Sequence, residues 1–328
     1  MPKVSIRDVA QHAGVSTATV SHVINHTRFV KEETRALVEN SIRELHYCPN
    51  ATARSFKTGR RNLIAFIVPD ISNAFFSTMI EEVENVISKE GFKLIVINTK
   101  ETGVRELENL RFLSNGLVDG FILASTLSSY SEIEGLIPKE LPVILVDRQL
   151  PGAPYDSIIV SNYQAVYDSV EYLIRQGHKK IGFITGIPQI STTIERLEAY
   201  KNAMEKHQLY SESLVQIGTS MTTLISENLD ALLAQNCTAL IVSNNVMAIE
   251  ALILLNQRHI HPPQDIHLIG YKDSEQIQYG LQHMSLICQP VASMGRTAGK
   301  QILDRIKNPN LPLQKVLLQA EFHPLNNR

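Results

Sequence analysis

Apolar and polar positions follow a repeating order from residue 62 onward. Leu63–Val68 (LIAFIV) is an unbroken apolar run, the pattern of a parallel strand covered on both faces. Phe76, Met79, Ile80, Val83, Val86 and Ile87 then recur at helical spacing. A strand is predicted over 94–97, followed by a helix carrying Leu107, Leu110 and Leu113. Runs at 121–124 and 143–146 continue the sheet. The order then repeats, with helices predicted over 163–176, 194–206 and 246–258 and strands over 181–185, 239–242 and 267–270. Strand and helix alternating in two similar halves predict an α/β body of two doubly wound lobes with a cleft between them.

The first 46 residues follow another regime, with helical spacing only. Ser5 is placed to cap a helix, with Asp8 three residues later, and Ile6, Val9 and Ala10 form its apolar stripe. Gly14 suits the positive φ of a sharp turn between helices, and Ser16 caps a second helix running to about Asn25. Val20, Val23 and Ile24 face inward. Thr17, Ala18, Ser21, His22 and Asn25 share the opposite arc of about 140° at 100° per residue. That face is polar, short and nearly uncharged, whereas a merely solvated helix more often carries Lys and Glu. Small hydroxyl, methyl and imidazole groups suit close approach to base edges in a major groove. A third helix, about 31–45, closes the core with Leu37, Val38, Ile42 and Leu45.

Charge sharpens this division. The chain of 328 residues has a net charge of −2, yet residues 1–61 hold ten basic and five acidic residues while the remainder holds 21 and 28. A basic head on an acidic body fits a nucleic-acid contact confined to one end. Cys48, Cys237 and Cys288 match neither a disulfide framework nor a zinc site, and a reducing cytoplasm is the expected location. The polar N-terminus predicts no signal peptide, and no apolar run predicts a membrane span.

The run IRDVAQHAGVSTATVSHVIN (6–25) resembles the helix-turn-helix of the LacI/GalR family of bacterial repressors, and residues 27–56 look most like its purine- and ribose-repressor branch. VPDISNAFFSTM (68–79), VDGFILAS (118–125), GHKKIGFITG (177–186), ERLEAY (195–200) and PPQDIHLIGYKD (262–273) extend the resemblance along the body, which is similar to periplasmic binding proteins. The resemblance implies a head (1–46), a hinge helix or linker (47–61) and an effector-binding, dimerising body (62–328). Lobe 1 is expected at about 62–161 plus 290–309, and lobe 2 at 162–289 plus 310–328. It also implies that Thr17, Ala18 and His22 read bases, that Thr19, Ser21 and Asn25 lie near phosphates or bases, and that a hinge containing Ala53, Arg54 and Phe56 enters the minor groove. Phe56 stands where the family usually has a Leu wedge. The partners implied are an inverted-repeat operator in double-stranded DNA, a small effector and a second copy of the chain.

Ligands of open α/β lobes bind beyond the carboxyl ends of strands. Phe75 and Phe76 match the family's aromatic ligand-flanking positions; Asn98, Ser125 and Arg148 end later strands; Thr192 and Arg196 match positions that hold polar ligand groups. Three departures stand out. Asn245 (SNNVMA), Lys272 (GYKD) and Ser161 replace carboxylates common in the family. Arg148, Arg196 and Lys272 together predict an anionic sugar, a sugar phosphate or sugar acid, as effector. No cofactor or metal is implied. The rival class is a cytosolic sugar- or nucleotide-modifying α/β enzyme. It leaves the head unexplained, and GxGxxG after the first strand, HExxH and GxSxG are all lacking. GRTAGK (295–300) only faintly resembles a phosphate loop and reads as helix surface.

Overall fold

The computed structural model of the protein describes residues 4–25, 28–48, 61–218, 224–272 and 281–325. The chain forms two compact units, Met1–Arg61 and Asn62–Arg328.

In the first unit, α1 (Ile6–His12), α2 (Thr17–Asn25) and α3 (Glu32–Glu44) enclose Val9, Ala10, Val20, Val23 and Val38. The capping box forms as expected: Asp8 N–H donates to Ser5 Oγ, and the Asp8 carboxylate accepts from Ser5 N–H at 2.7 Å. That backbone hydrogen bond holds the Asp8 carboxyl below its ordinary pKa. Gly14 has φ of +65° at the turn, a conformation costly for a residue with a Cβ. Leu37 does not join the core; it is 55% exposed. Val38, Ile42 and Leu45 already define the inward stripe of α3, and Leu37 stands about 100° off Val38. Buried Ser41 sits on the inner side, where it meets His12 Nδ1 at 3.0 Å.

The second unit runs β1 (Leu63–Val68), α4 (Ala74–Ile87), β2 (Lys93–Asn98), α5 (Gly103–Leu113), β3 (Gly120–Leu123), β4 (Val143–Val146) and β5 (Asp156–Ser161). It continues with α6 (Tyr163–Arg175), β6 (Ile181–Thr185), α7 (Ser191–Lys206), β7 (Val215–Ile217), α8 (Leu224–Ala234), β8 (Ala239–Val242) and α9 (Asn245–Gln257). The last elements are β9 (His267–Lys272), β10 (Ser285–Cys288), α10 (Val291–Lys307), β11 (Lys315–Gln319) and β12 (Glu321–His323). Lobe 1 is a parallel sheet in the order β11-β5-β4-β3-β1-β2. Lobe 2 has the order β12-β10-β9-β8-β6-β7, parallel except where β12 runs against β10. Among the described residues, no helix is long and apolar enough to cross a membrane.

The chain crosses between lobes after Ser161, at Gln289-Pro290 and around Ala320. The third crossing corrects the expected division, because β11 pairs with β5 and places residues 310–319 in lobe 1. A buried ion pair fixes them there. Arg305 donates Nε and Nη2 to the Asp156 carboxylate at 2.9 and 2.8 Å, and Asp156 also accepts from Gln314 N–H. Arg305 further binds the carbonyls of Pro309, Leu311 and Pro312.

The glycines of GRTAGK lie in the seam between α10 and α4, not on a helix surface. A Cβ at Gly295 would lie 2.7 Å from the Met79 carbonyl oxygen, and one at Gly299 would lie 2.9 Å from Val86 Cβ. At the base of lobe 2, His178 and His267 face each other with ring centroids 5.8 Å apart, and Tyr172 packs between His267 and Phe322. Burial lowers the pKa of both histidines, that of His267 to about 4.

Two outcomes follow from this packing. Gly295→Val should force α10 off α4 and lower unfolding stability by about 1–3 kcal/mol, measured by denaturant titration. Histidines neutral in the fold contribute stability that is full above their ordinary value of 6.5 and is lost as pH falls toward 4. Unfolding measured across that window should therefore show a smaller acid loss in His267→Gln than in the parent protein.

Candidate DNA-reading face and effector cleft

The face of α2 opposite its buried Val20 and Val23 is built from Thr17, Ala18, Ser21, His22 and Asn25. Thr17, Ala18 and Asn25 are exposed, and Ser21 and His22 are half-buried. Thr19 belongs to the cap: its N–H donates to Ser16 Oγ at 3.1 Å, and the two hydroxyls lie 2.9 Å apart. Asn25 Nδ2 donates to the Ser21 carbonyl at 2.8 Å, which orients its amide along the helix end. The helix thus offers a hydroxyl, a methyl and an imidazole from a rigid, capped frame. Ala53, Arg54 and Phe56 lie outside the described residues.

In the body, carboxyl ends of strands from both lobes meet around a cavity of about 90 Å³. After β1, Asn73 caps α4 by accepting Phe75 N–H at 3.0 Å. That cap delivers Phe75 and Phe76 to the cleft wall, edge to face at 5.1 Å. After β4 come Asp147, in a left-handed backbone conformation, and Arg148. Arg148 is bidentate to Glu101, Nη1 to Oε2 at 2.9 Å and Nη2 to Oε1 at 2.7 Å, and its Nε lies 3.7 Å from the Asp147 carboxylate. Burial works against the Arg148 charge, but bonding to Glu101 outweighs it and holds the guanidinium above its ordinary pKa. Burial raises the Asp147 carboxyl despite the nearby Arg148 and Arg196.

Lobe 2 contributes Thr192, Thr193 and Arg196 from α7, Ser243 to Asn245 at the end of β8, Tyr271 and Gln289. Arg196 donates Nη1 to the Ser243 carbonyl at 2.5 Å, and its guanidinium carbon stacks 4.3 Å from the Tyr271 ring centroid. Its neighbour Glu195 accepts from Ser161 Oγ and from the N–H groups of Asn162 and Tyr163. One turn of α7 therefore faces the cleft with Arg196 and grips the first interlobe crossing with Glu195.

Of the residues expected from sequence, Phe75, Phe76, Arg148, Thr192, Arg196 and Asn245 line this cavity. Asn98, Ser125 and Lys272 do not. Asn98 closes a turn by accepting Lys100 N–H. Ser125 supports the wall: its hydroxyl donates to buried Glu106 at 2.6 Å, and its carbonyl oxygen accepts from Arg148 Nη1. Lys272 is half-buried on β9, whose alternation turns Tyr271 into the cleft and the next side chain to the other face. The sequence pattern does not point to Glu101, Asp147 or Tyr271. Asp147 and Tyr271 immediately precede the expected Arg148 and Lys272, whereas nothing in the sequence pairs Glu101 with Arg148. Among the described residues, the formal charges of the lining cancel: Glu101 and Asp147 against Arg148 and Arg196.

Residues 5–50 match the bacterial regulatory proteins of the lacI family, and residues 170–324 match a periplasmic binding protein-like domain. The chain is 35% identical over 309 residues to the HTH-type transcriptional repressor PurR of Aliivibrio salmonicida (strain LFI1238), covering 93% of this chain and 92% of that protein. The chain belongs to the LacI family. It is 33% identical over 327 residues to the ribose operon repressor of Haemophilus influenzae (strain ATCC 51907 / DSM 11121 / KW20 / Rd), covering 96% of each chain. The Lac repressor dimer bound to operator and the anti-inducer ONPF shares the fold, with a TM-score of 0.82 at 22% identity over 98% of both chains. This LacI-family chain is accordingly a DNA-binding transcription regulator and not an enzyme.

Removing one partner of a buried pair leaves the other charge uncompensated. Glu101→Gln should lower unfolding stability by on the order of 3 kcal/mol. Inorganic sulfate should restore more stability to that variant than it adds to the parent protein, read by thermal unfolding with and without the salt.

Proposed function

We propose that the protein is a homodimeric, effector-controlled repressor of a carbohydrate-related operon, and that its effector is a small neutral sugar. Two heads reading inverted half-sites account for the polar face of α2. The repressor and dimer readings draw on the named relatives. Apolar surface left on the edge of lobe 1 also supports pairing: β2 is an edge strand, and Val96, Val104 and Phe112 on β2 and α5 are exposed.

The effector class rests on one observation, the bidentate Arg148–Glu101 bond. The expected anionic sugar required three available cations. Lys272 does not line the cleft, and Arg148 is already neutralised, so an anion would meet Arg196 against the Asp147 carboxyl. Paired charges beside Phe75 and Phe76 suit hydroxyl groups, with Asp147 accepting, Arg196 donating, and the aromatic rings covering the apolar ring face. The cytosolic-enzyme alternative gains nothing from this geometry. Closure around the ligand acts on the first crossing through α7, since Arg196 and Glu195 are adjacent. The resulting coupling is reciprocal, so effector and operator alter each other's affinity by the same factor.

Thermal unfolding with D-ribose, ribose 5-phosphate and a free purine base separates the classes. A neutral sugar should stabilise the protein, by about 2.7 kcal/mol at 100 times its Kd. Stabilisation by ribose 5-phosphate alone, or by the purine alone, overturns the neutral-sugar reading. For the head, Thr17→Ala and His22→Ala should each cost about 1–3 kcal/mol of operator binding while leaving non-specific duplex binding unchanged. Equal losses on both duplexes, measured by fluorescence anisotropy, would remove these residues from base reading.

A further inference from the structure

A direct hydrogen bond joins the two lobes inside the cleft. Asn245, the first residue of α9 in lobe 2, donates Nδ2 to Oδ1 of Asn73, the cap of α4 in lobe 1, at 2.7 Å. Both amides are oriented independently of this contact. Asn245 Oδ1 accepts Val246 N–H at 2.8 Å, which turns its NH2 toward lobe 1. Asn73 Oδ1 accepts Phe75 N–H at 3.0 Å, which presents that oxygen toward lobe 2. Asn245 is buried, so water competes little for the bond. A second bridge, Gln149 N–H to Ser191 Oγ at 2.9 Å, is exposed at the rim.

We propose that the Asn73–Asn245 bond is a latch that holds the lobes closed before any effector arrives, which makes Asn245 a positioning residue and not a ligand-recognition residue. The proposal rests on the reading of this cleft as the effector site, but it does not depend on which effector binds. The chemistry of position 245 carries it. A carboxylate of the same size has no donor, and would set an acceptor against the Asn73 oxygen. Asn supplies the one N–H that closes the gap while its oxygen remains on Val246. The same caps that start α4 and α9 therefore also join them. A latch of this kind raises the closed fraction of the free protein. The effector then meets a site that is already formed, and it shifts the closed-to-open ratio less than it would in an unlatched protein.

The bond is directional, and the variants can therefore be asymmetric. Asn73→Asp keeps an acceptor for both Phe75 and Asn245 and should keep the latch. Asn245→Asp removes the donor and should break it. The double variant sets two carboxylates face to face and should open the cleft furthest. Full-length protein carries spin labels at exposed positions Glu108 on α5 and Arg175 on α6, in a cysteine-free background, and is diluted with unlabelled protein. Pulsed electron paramagnetic resonance then reads the interlobe distance in each variant. Loss of one ordinary hydrogen bond should change the closed-to-open ratio roughly 2- to 10-fold in Asn245→Asp and leave Asn73→Asp like the parent. Asn245→Ala serves as a second break free of added charge, and circular dichroism verifies that each variant is folded. A parent-like distribution in both Asn245→Asp and Asn245→Ala overturns the latch, as does equal opening of Asn73→Asp and Asn245→Asp. If D-ribose moves the parent distribution while the Asn245 variants do not, the latch fails and the effector cleft stands. If the Asn245 variants open but neither D-ribose nor ribose 5-phosphate moves the parent, the latch stands and the sugar reading fails.

Discussion

Charge inside the cleft between the lobes must be paired, and the rest of the body is arranged around that constraint. The carboxyl ends of two sheets face each other there, and an unpaired ion taken out of water is strongly unfavourable. Arg148 meets this by lying flat against Glu101, with Asp147 at its other side. Arg196 meets it differently, through a carbonyl oxygen and an aromatic face. A guanidinium suits both solutions because it is planar, forked and weakly hydrated. The result is a polar cleft whose formal charges cancel among its described residues, the feature on which the proposed neutral-sugar reading rests.

The link between this cleft and the first interlobe crossing follows from adjacency in the sequence. Glu195 and Arg196 occupy neighbouring positions on α7, yet one holds the first interlobe crossing and the other lines the ligand cavity. Arg196 therefore sits on the same turn of helix that holds Ser161 and Asn162. The interlobe hydrogen bonds from Asn245 to Asn73 and from Gln149 to Ser191 lie at the closed end of the lobes' motion. Coupling here needs no continuous wire. It needs two lobe arrangements whose balance both the ligand and the DNA can bias.

Much of this was legible in the sequence because it depends on local pattern. LIAFIV could only be a doubly covered strand, Ser5 and Asp8 form the capping box that their spacing implied, and Gly14 takes its left-handed turn. Phe75, Phe76 and Arg196 were expected in the cleft from the family resemblance of VPDISNAFFSTM and ERLEAY, and all three line it. What sequence could not show depends on register and on partners distant in the chain. Lys272 and Tyr271 are neighbours, and the parity of β9 decides which one faces the cavity. Arg148 read as an available cation because Glu101, 47 residues away, gives no sign of meeting it. Gly295 and Gly299 carry no local sign that α4 packs against them. Residues 310–319 belong to lobe 1 because β11 pairs with β5, a register supported by Arg305 on Asp156 that no local pattern announces.

We propose that a head that reads DNA and a charge-balanced cleft that takes a sugar are two linked sites on one regulator. The most direct measurement is a closed thermodynamic cycle on the full-length protein. An operator selected from a random duplex pool is titrated with and without saturating neutral sugar, and the sugar is titrated with and without saturating operator. The account predicts that both ratios differ from one and agree with each other. A sugar that binds the cleft with the same affinity whether or not the operator is present would contradict it.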